Sequence, residues 1–321
     1  MADARVIPLH PENRESGSRA AAEDVAEALA GTAAAPDPDG GRSPWEQLVL
    51  EVLAFARRRL LGDYEVDEFG FDEDLVEHAL LPALRPFYEN WFRVEAAGLD
   101  NVPQDGALVV ANHSGTLPWD ALMTTVALRD QHPTGRHLRM LGADLVFQLP
   151  FIAPLARKAG HTLACGPDAE RLLHNGELVG VWPEGFKGIG KPFRDRYKLQ
   201  RFGRGGFVSA AVRTGTPIVP CSIVGAEEIY PKIADIKPLA RLLGIPYFPV
   251  TPLFPQFGPL GLVPLPSKWS IQFGQPIHTA DLPRGAAEDP MLVFNLSDQT
   301  RETIQQTLYQ QLSQRKNIFL G

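Results

Sequence analysis

Residues 109–123 read VVANHSGTLPWDALM. The strand-forming run 107–110 delivers Asn112 and His113 to its end. A short turn with Gly115 and Pro118 follows, then Asp120, then apolar residues that resume at helical spacing. Strand, turn and helix in this order are the unit from which parallel sheets are built. A histidine at such a strand end, with a carboxylate nearby, is a candidate general base: imidazole titrates near neutrality, and a carboxylate fixes its tautomer and stabilises its charged form. Six residues separate His113 from Asp120. On a continuous helix that offset places them about 10 Å apart along the axis, beyond hydrogen-bond reach. Contact between them therefore requires the segment SGTLPW to curl back.

About seventy residues on, LVGVWPEGFKGIGK (178–191) repeats the design: a strand ending in a Gly-rich, lysine-bearing loop. Residues 185–191 match the phosphate-loop spacing of glycine, four residues, glycine and lysine. Pro192 stands where a serine or threonine would hold magnesium, which argues against a nucleotide-hydrolysing loop. Lys187 and Lys191, with Arg194, Arg196, Lys198, Arg201 and Arg204 beyond them, form the most basic stretch of the chain. Backbone amides and point charges of this kind suit an anionic substrate or membrane surface.

The 321-residue chain carries a net charge of -7, so no global basic field points to nucleic acid. Two cysteines, Cys165 and Cys221, give no disulfide framework and fit a reduced, cytoplasmic protein. The N-terminal residues lack the apolar core of a secretory signal. The uncharged segment 242–266 contains seven prolines, each lacking a helical donor, so it is expected to form an apolar wall, lid or interfacial surface rather than a span. The histidines show no four-ligand spacing, so no metal is expected. Ser209 lacks the second glycine of a nucleophile elbow.

Residues 1–43, rich in Ala, Gly, Asp, Pro and Ser, are expected to be a flexible arm. An N-terminal helical region at 44–93 follows. In its first helix Trp45, Leu48, Val49, Val52, Leu53, Ala56 and Leu60 share one face and Arg57–Arg59 close the last turn. A second helical stretch at 75–91 is interrupted by Pro82 and Pro86, and the acidic run 65–74 between the two is a solvated connection. From 94 to 321, strands at 107–111, 138–142, 161–164, 178–182, 217–224 and 269–273 alternate with helices at 121–129, 145–158, 169–175, 206–214 and 227–243. A final helix covers 298–315. The expected fold is α/β, a largely parallel central sheet flanked by helices, with its working loops at the carboxyl ends of the strands.

With these motifs in hand, residues 91–277 resemble the glycerolipid (lysophosphatidate/lysophospholipid) acyltransferase superfamily, and most nearly its monoacylglycerol/diacylglycerol acyltransferase-like branch. NHSGTLPWD is similar to the family's first motif, GHTLACGPDAERLL occupies the second block, VWPEGFKG is similar to the third, and TPIVPCSIVGAEE to the fourth. The usual Thr-Arg of the third motif is Phe186-Lys187 here, and a lysine does not replace a bidentate arginine at a phosphate. The resemblance implies an O-acyltransferase in which His113 is the general base and Asp120 its partner. Pro183, Glu184, Gly185, Lys187 and Lys191 would shape the acceptor site. It further implies acyl-CoA or acyl carrier protein as co-substrate, a lipid acceptor, a cytoplasmic membrane surface, and no cofactor. The competing readings are a non-catalytic lipid-binding protein on the same fold and a phosphate-loop nucleotide-binding enzyme.

Overall fold

The computed structural model describes residues 43–321 except 116, 204 and 284. The arm expected at 1–43 thus lies outside the described residues, save for Ser43. Helix α1 (Pro44–Leu61) starts in a capping box, with the Ser43 side chain accepting from the Glu46 amide and Glu46 accepting from the Ser43 amide. Gly62, at φ 75°, ends it in the left-handed conformation. Residues 73–91 form α2, which does not break at its prolines. Wide π-type turns at Val76–Leu80 and Phe87–Trp91 flank the α-helical Leu81–Pro86, so the chain stays helical where proline removes donors.

The acidic connection between them is not merely solvated. Arg59 makes a bidentate pair with the fully buried Asp72 at 2.7 Å, Arg58 pairs with Asp74, and the buried Arg139 reaches Asp67 and Glu177. These pairs clamp α1 and the acidic run onto the sheet, using the arginines that the sequence assigned to the helix dipole.

The sheet has seven strands: β1 (Glu95–Ala97), β2 (Ala107–Ala111), β3 (Leu138–Gly142), β4 (Thr162–Leu163), β5 (Leu178–Val181), β6 (Ile218–Val224) and β9 (Ser270–Phe273). Their order is β1-β9-β6-β2-β5-β3-β4. All neighbours are parallel except β6 and β9, so β1 and β9 run against the other five. A separate hairpin joins β7 (Ala234–Asp235) to β8 (Pro249–Val250).

β2 is buried along its whole length, as a central strand covered on both faces must be. Ala107, Val109 and Ala111 face a core shared with α2 and with α3 (Trp119–Gln131); Leu108 and Val110 face the other core. That second core is built with α6 (Gly166–His174), α8 (Gly206–Thr214) and α10 (Pro290–Gln314).

Two expected helices are shorter or divided. Residues 145–158 split into α4 (Asp144–Gln148) and α5 (Ile152–Lys158) at Pro150 and Phe151, the latter at φ 66°. Residues 227–243 contain only α9 (Lys237–Leu243), because Pro231 follows a single 3-10 turn and the chain then enters the β7–β8 hairpin. Among the described residues no helix is long and apolar enough to cross a membrane. Segment 242–266 is part wall and part surface: Tyr247 and Thr251 are buried, whereas Leu242, Phe257 and Leu260 stand exposed.

Candidate active site

The strands β2, β3, β5 and β6 end on the same side, and there β2 delivers Asn112 and His113. Asn112 is fully buried. Its amide nitrogen donates to the Ile223 carbonyl (2.9 Å) and its oxygen accepts from the Ile223 amide (2.8 Å). The side chain thus continues the ladder to β6 one residue past the strand and fixes where the next residue sits. The sequence places Asn112 at the strand end but does not assign it this role. A polar residue closing an otherwise apolar buried strand was the available signal.

After His113 the chain curls back, with Gly115 at φ 81°, and α3 begins at Trp119. The curl brings His113 Nδ1 to 2.7 Å from Asp120 Oδ2. Asp120 is fully buried. Its Oδ2 also accepts from the Ser114 amide (2.9 Å) and its Oδ1 from its own neighbour Ala121 (2.9 Å). The carboxylate holds three donors and has no freedom to turn away from the imidazole. With Nδ1–H given to Asp120, neutral His113 keeps its lone pair on Nε2. The side chain is 20% exposed, so it can be reached from the cleft. Burial pulls the His113 pKa down, but the charge of Asp120 and its hydrogen bond, helped by Glu184 and opposed by Lys191, outweigh burial and raise it above its usual value.

β5 ends at Val181, and WPEG carries the chain beneath His113. Glu184 is buried; its Oε1 accepts from the His113 amide (3.0 Å) and its Oε2 from the Gln200 amide (2.7 Å). It therefore ties the first motif to the segment that follows the third. Residues 185–189 are the short helix α7 (Gly185–Ile189) rather than an open loop. Gly188 must be glycine: a Cβ there would lie 2.7 Å from the Glu184 Cβ and 3.0 Å from the His113 carbonyl oxygen. Gly185, at φ 52°, makes the turn into α7.

The two lysines of this stretch differ. Lys187 is exposed. Lys191 is buried, with its ammonium 3.3 Å from Glu184 Oε2 and 3.0 Å from Glu227 Oε1, and it also donates to the Lys198 carbonyl. Two internal carboxylates thus already take up the charge of Lys191. The same pairing counts against a phosphate-loop lysine. Burial pushes the Glu227 carboxyl up to about 7, against the opposing pull of Lys191. Pro183 is half-buried and its carbonyl accepts from the Gly203 amide.

Sequence reading missed several neighbours of the dyad. The Trp182 ring lies 6.3 Å from the His113 ring. Trp119 Nε1 donates to the Tyr230 hydroxyl (3.0 Å), which donates to the Leu262 carbonyl (2.6 Å) and so anchors segment 242–266 beside the site. Glu227 and Tyr230 lie just past β6, whose buried run signalled a strand end but not which side chains turn inward.

A family model described as Acyltransferase matches residues 93–224, which span His113, Asp120 and Glu184. The chain is 64% identical over 276 residues to the uncharacterized proteins Mb0514 of Mycobacterium bovis and Rv0502 of Mycobacterium tuberculosis, covering 86% of this chain and 77% of each relative. It is 61% identical to the uncharacterized protein ML2427 of Mycobacterium leprae, over 86% of this chain and 75% of the relative. Among solved structures, the 1-acyl-sn-glycerophosphate (LPA) acyltransferase PlsC from Thermotoga maritima is 18% identical, with a TM-score of 0.49 over 84% of this chain and 98% of that one. The chain belongs to one family with these mycobacterial proteins, and its residues 93–224 are similar to the Acyltransferase family model.

Proposed function

We infer that this protein moves a fatty acyl group from a thioester, acyl-CoA or acyl carrier protein, to a hydroxyl of a glycerolipid or related lipid acceptor, with His113 as general base. The observation that carries this reading is the 2.7 Å contact between His113 Nδ1 and a buried Asp120 at a strand end, inside the segment matched by the acyltransferase model. Nε2 takes the proton of the acceptor hydroxyl, and the oxygen attacks the thioester carbonyl carbon. As the tetrahedral intermediate collapses, the carbon–sulfur bond breaks and the imidazolium returns the proton to the leaving thiolate. Asp120 stabilises the imidazolium in between. No step in this sequence needs a cofactor. Glu184 accepts from the His113 amide and Gly188 leaves room for the His113 carbonyl, while in this reading Pro183, Gly185 and Lys187 shape the acceptor site.

The reaction takes place at a membrane surface in this reading. The loops after β2, β3, β5 and β6 leave one end of the sheet, the end that carries His113. The segments that follow these strands carry exposed apolar side chains: Leu117, Phe151 at 89% exposure, Phe186 and Ile233. Exposed apolar side chains in the segments past the strand ends suit a lipid substrate presented by a bilayer. Acceptor-dependent thiol release from acyl-CoA and from acyl carrier protein, with mass spectrometry of the lipid product, tests the reading. A protein that binds these lipids yet releases no thiol with any acceptor would instead be a lipid-binding member of the fold.

A further inference from the structure

β6 ends at Val224 and β9 begins at Ser270, and these two residues are partners in the antiparallel pairing. The chain between them therefore hangs from the end of the sheet that carries His113. Tyr230 and Lys232, near its start, line a narrow cleft with Ser114 and Gly115, next to the dyad. From there residues 231–266 fold on themselves. The Ile233 amide donates to the Val250 carbonyl and the Ile236 amide to the Phe248 carbonyl, which extends the β7–β8 hairpin, and α9 lies in the connection between its strands. The Tyr230 hydroxyl on the Leu262 carbonyl and the Leu265 amide on the Ile229 carbonyl tie the far end back to the start.

Two properties set this unit apart. Its surface is apolar: Leu242 (81% exposed) and Leu243 stand in solvent on α9, and Phe257 and Leu260 (72%) at the 3-10 turn Gly258–Leu262. Its charge is also inverted. Residues 231–266 hold Lys232, Lys237 and Arg241 but a single acid, Asp235, in a chain of net charge -7. Asp235 accepts from the Phe248 amide within the unit. Lys237 and Arg241 are exposed beside the leucines of α9, and neither makes an ion pair among the described residues.

Such a surface needs an occupant that takes up apolar side chains and supplies negative charge. A second copy of the chain does not, because a two-fold contact through α9 sets Lys237 and Arg241 against themselves. The headgroup layer of an anionic bilayer supplies both. The seven prolines of 242–266 limit the depth: irregular backbone needs water or protein partners and stays out of the hydrocarbon.

We propose that the 231–266 unit docks the protein on an anionic bilayer, with Leu242, Leu243, Phe257 and Leu260 in the headgroup layer and Lys237 and Arg241 on the lipid phosphates. The inference rests on the reading that the reaction takes place at a membrane surface, and it names the element that makes the contact. Because the start of the unit lines the cleft beside the dyad, docking through it sets the site against the lipid.

Co-sedimentation of the full chain with vesicles tests the proposal. Phosphatidylglycerol–phosphatidylcholine vesicles should pellet the wild-type protein, pure phosphatidylcholine vesicles much less, and high salt should weaken the binding. Leu242→Asp/Leu243→Asp, Phe257→Asp/Leu260→Asp and Lys237→Gln/Arg241→Gln should each weaken partitioning about tenfold or more, with melting temperatures unchanged because every one of these side chains is exposed. Thiol release with a detergent-dispersed acceptor should stay near the wild-type rate in all three. If the wild type binds and these variants bind equally well, while Trp45→Asp/Leu48→Asp on α1 does not, the unit is refuted as the docking element and the membrane reading stands. If the wild type binds neither kind of vesicle, both fail. A wild-type dimer that Leu242→Asp/Leu243→Asp abolishes without loss of vesicle binding would assign the face to a second copy and overturn the proposal. Acyl transfer is judged apart from all of these, by thiol release in detergent.

Discussion

His113 Nδ1 and Asp120 Oδ2 lie 2.7 Å apart although six residues separate them in the chain, because the chain folds back at Gly115 before α3 begins. The carboxylate is held by the Ser114 amide on the same oxygen and by Ala121 on the other. Imidazole orientation is thus a property of the turn and the helix start together.

Asp120 raises the His113 pKa, so the base is fully free only above its usual titration range, and kcat/KM should rise with pH through an acid limb that belongs to His113. Asp120→Asn removes the raising charge. That limb should move to lower pH while the rate falls about a hundredfold or more. The stability contribution has the opposite sign: a folded pKa above the unfolded one stabilises below the unfolded value and is lost as pH rises through the folded one. pH–rate profiles of both proteins check the first part, and urea melts across pH 5–8 check the second; an unmoved acid limb in Asp120→Asn would count against the pairing.

Asn112→Ala should destabilise the protein by about 3 kcal/mol, because both the amide and the carbonyl of Ile223 are left buried without their partner. Asn112→Asp should be no better, since a carboxylate has no hydrogen to donate to the Ile223 carbonyl. Denaturant unfolding of the two variants measures this directly.

Glu227→Gln and Lys191→Met address the buried chain Glu184–Lys191–Glu227. Lys191→Met leaves two carboxylates buried with no counter-charge, an expected cost of about 3–5 kcal/mol. Glu227→Gln keeps the shape and removes one charge, so it should fold nearly normally and lower kcat more than it raises KM, through the hold of Glu184 on the His113 amide. Equal effects of the two variants on melting temperature would contradict the assignment.

Acid lability should trace to Asp72. Burial pushes its carboxyl up, but the Arg59 hydrogen bonds and the Leu75 amide bring the pKa below its usual value. A depressed folded pKa stabilises above the unfolded value and is lost as pH falls through the folded one. Arg59→Ala should therefore cost about 3 kcal/mol at neutral pH and flatten the acid limb of the stability profile.

Much of the architecture was legible from the chain, and the parts that were not share a cause. β2, β5 and β6 are runs dominated by apolar residues, the pattern of central strands covered on both faces. β1 and β4 are two or three residues long, too short to show a period. The helix expected at 227–243 was cut to Lys237–Leu243, and residues 73–91 stayed helical past two prolines through π-type turns, a compensation invisible in the local pattern. At the site, His113, Asp120 and Glu184 could be named because each ends a strand or starts a helix. The two candidate lysines could not be sorted, because what distinguishes Lys191 is a carboxylate 36 positions away at Glu227. The apolar stripe of α1 was legible as a stripe, but Trp45, Leu48 and Val52 stand exposed rather than in either core.

The most direct test of the whole account is acyl transfer by His113→Ala. Thiol release and lipid product, measured with the acceptor that the wild-type protein uses best, should fall to background while the melting temperature stays within a few degrees of wild type. Retention of a substantial fraction of the wild-type rate by a folded His113→Ala protein would contradict it.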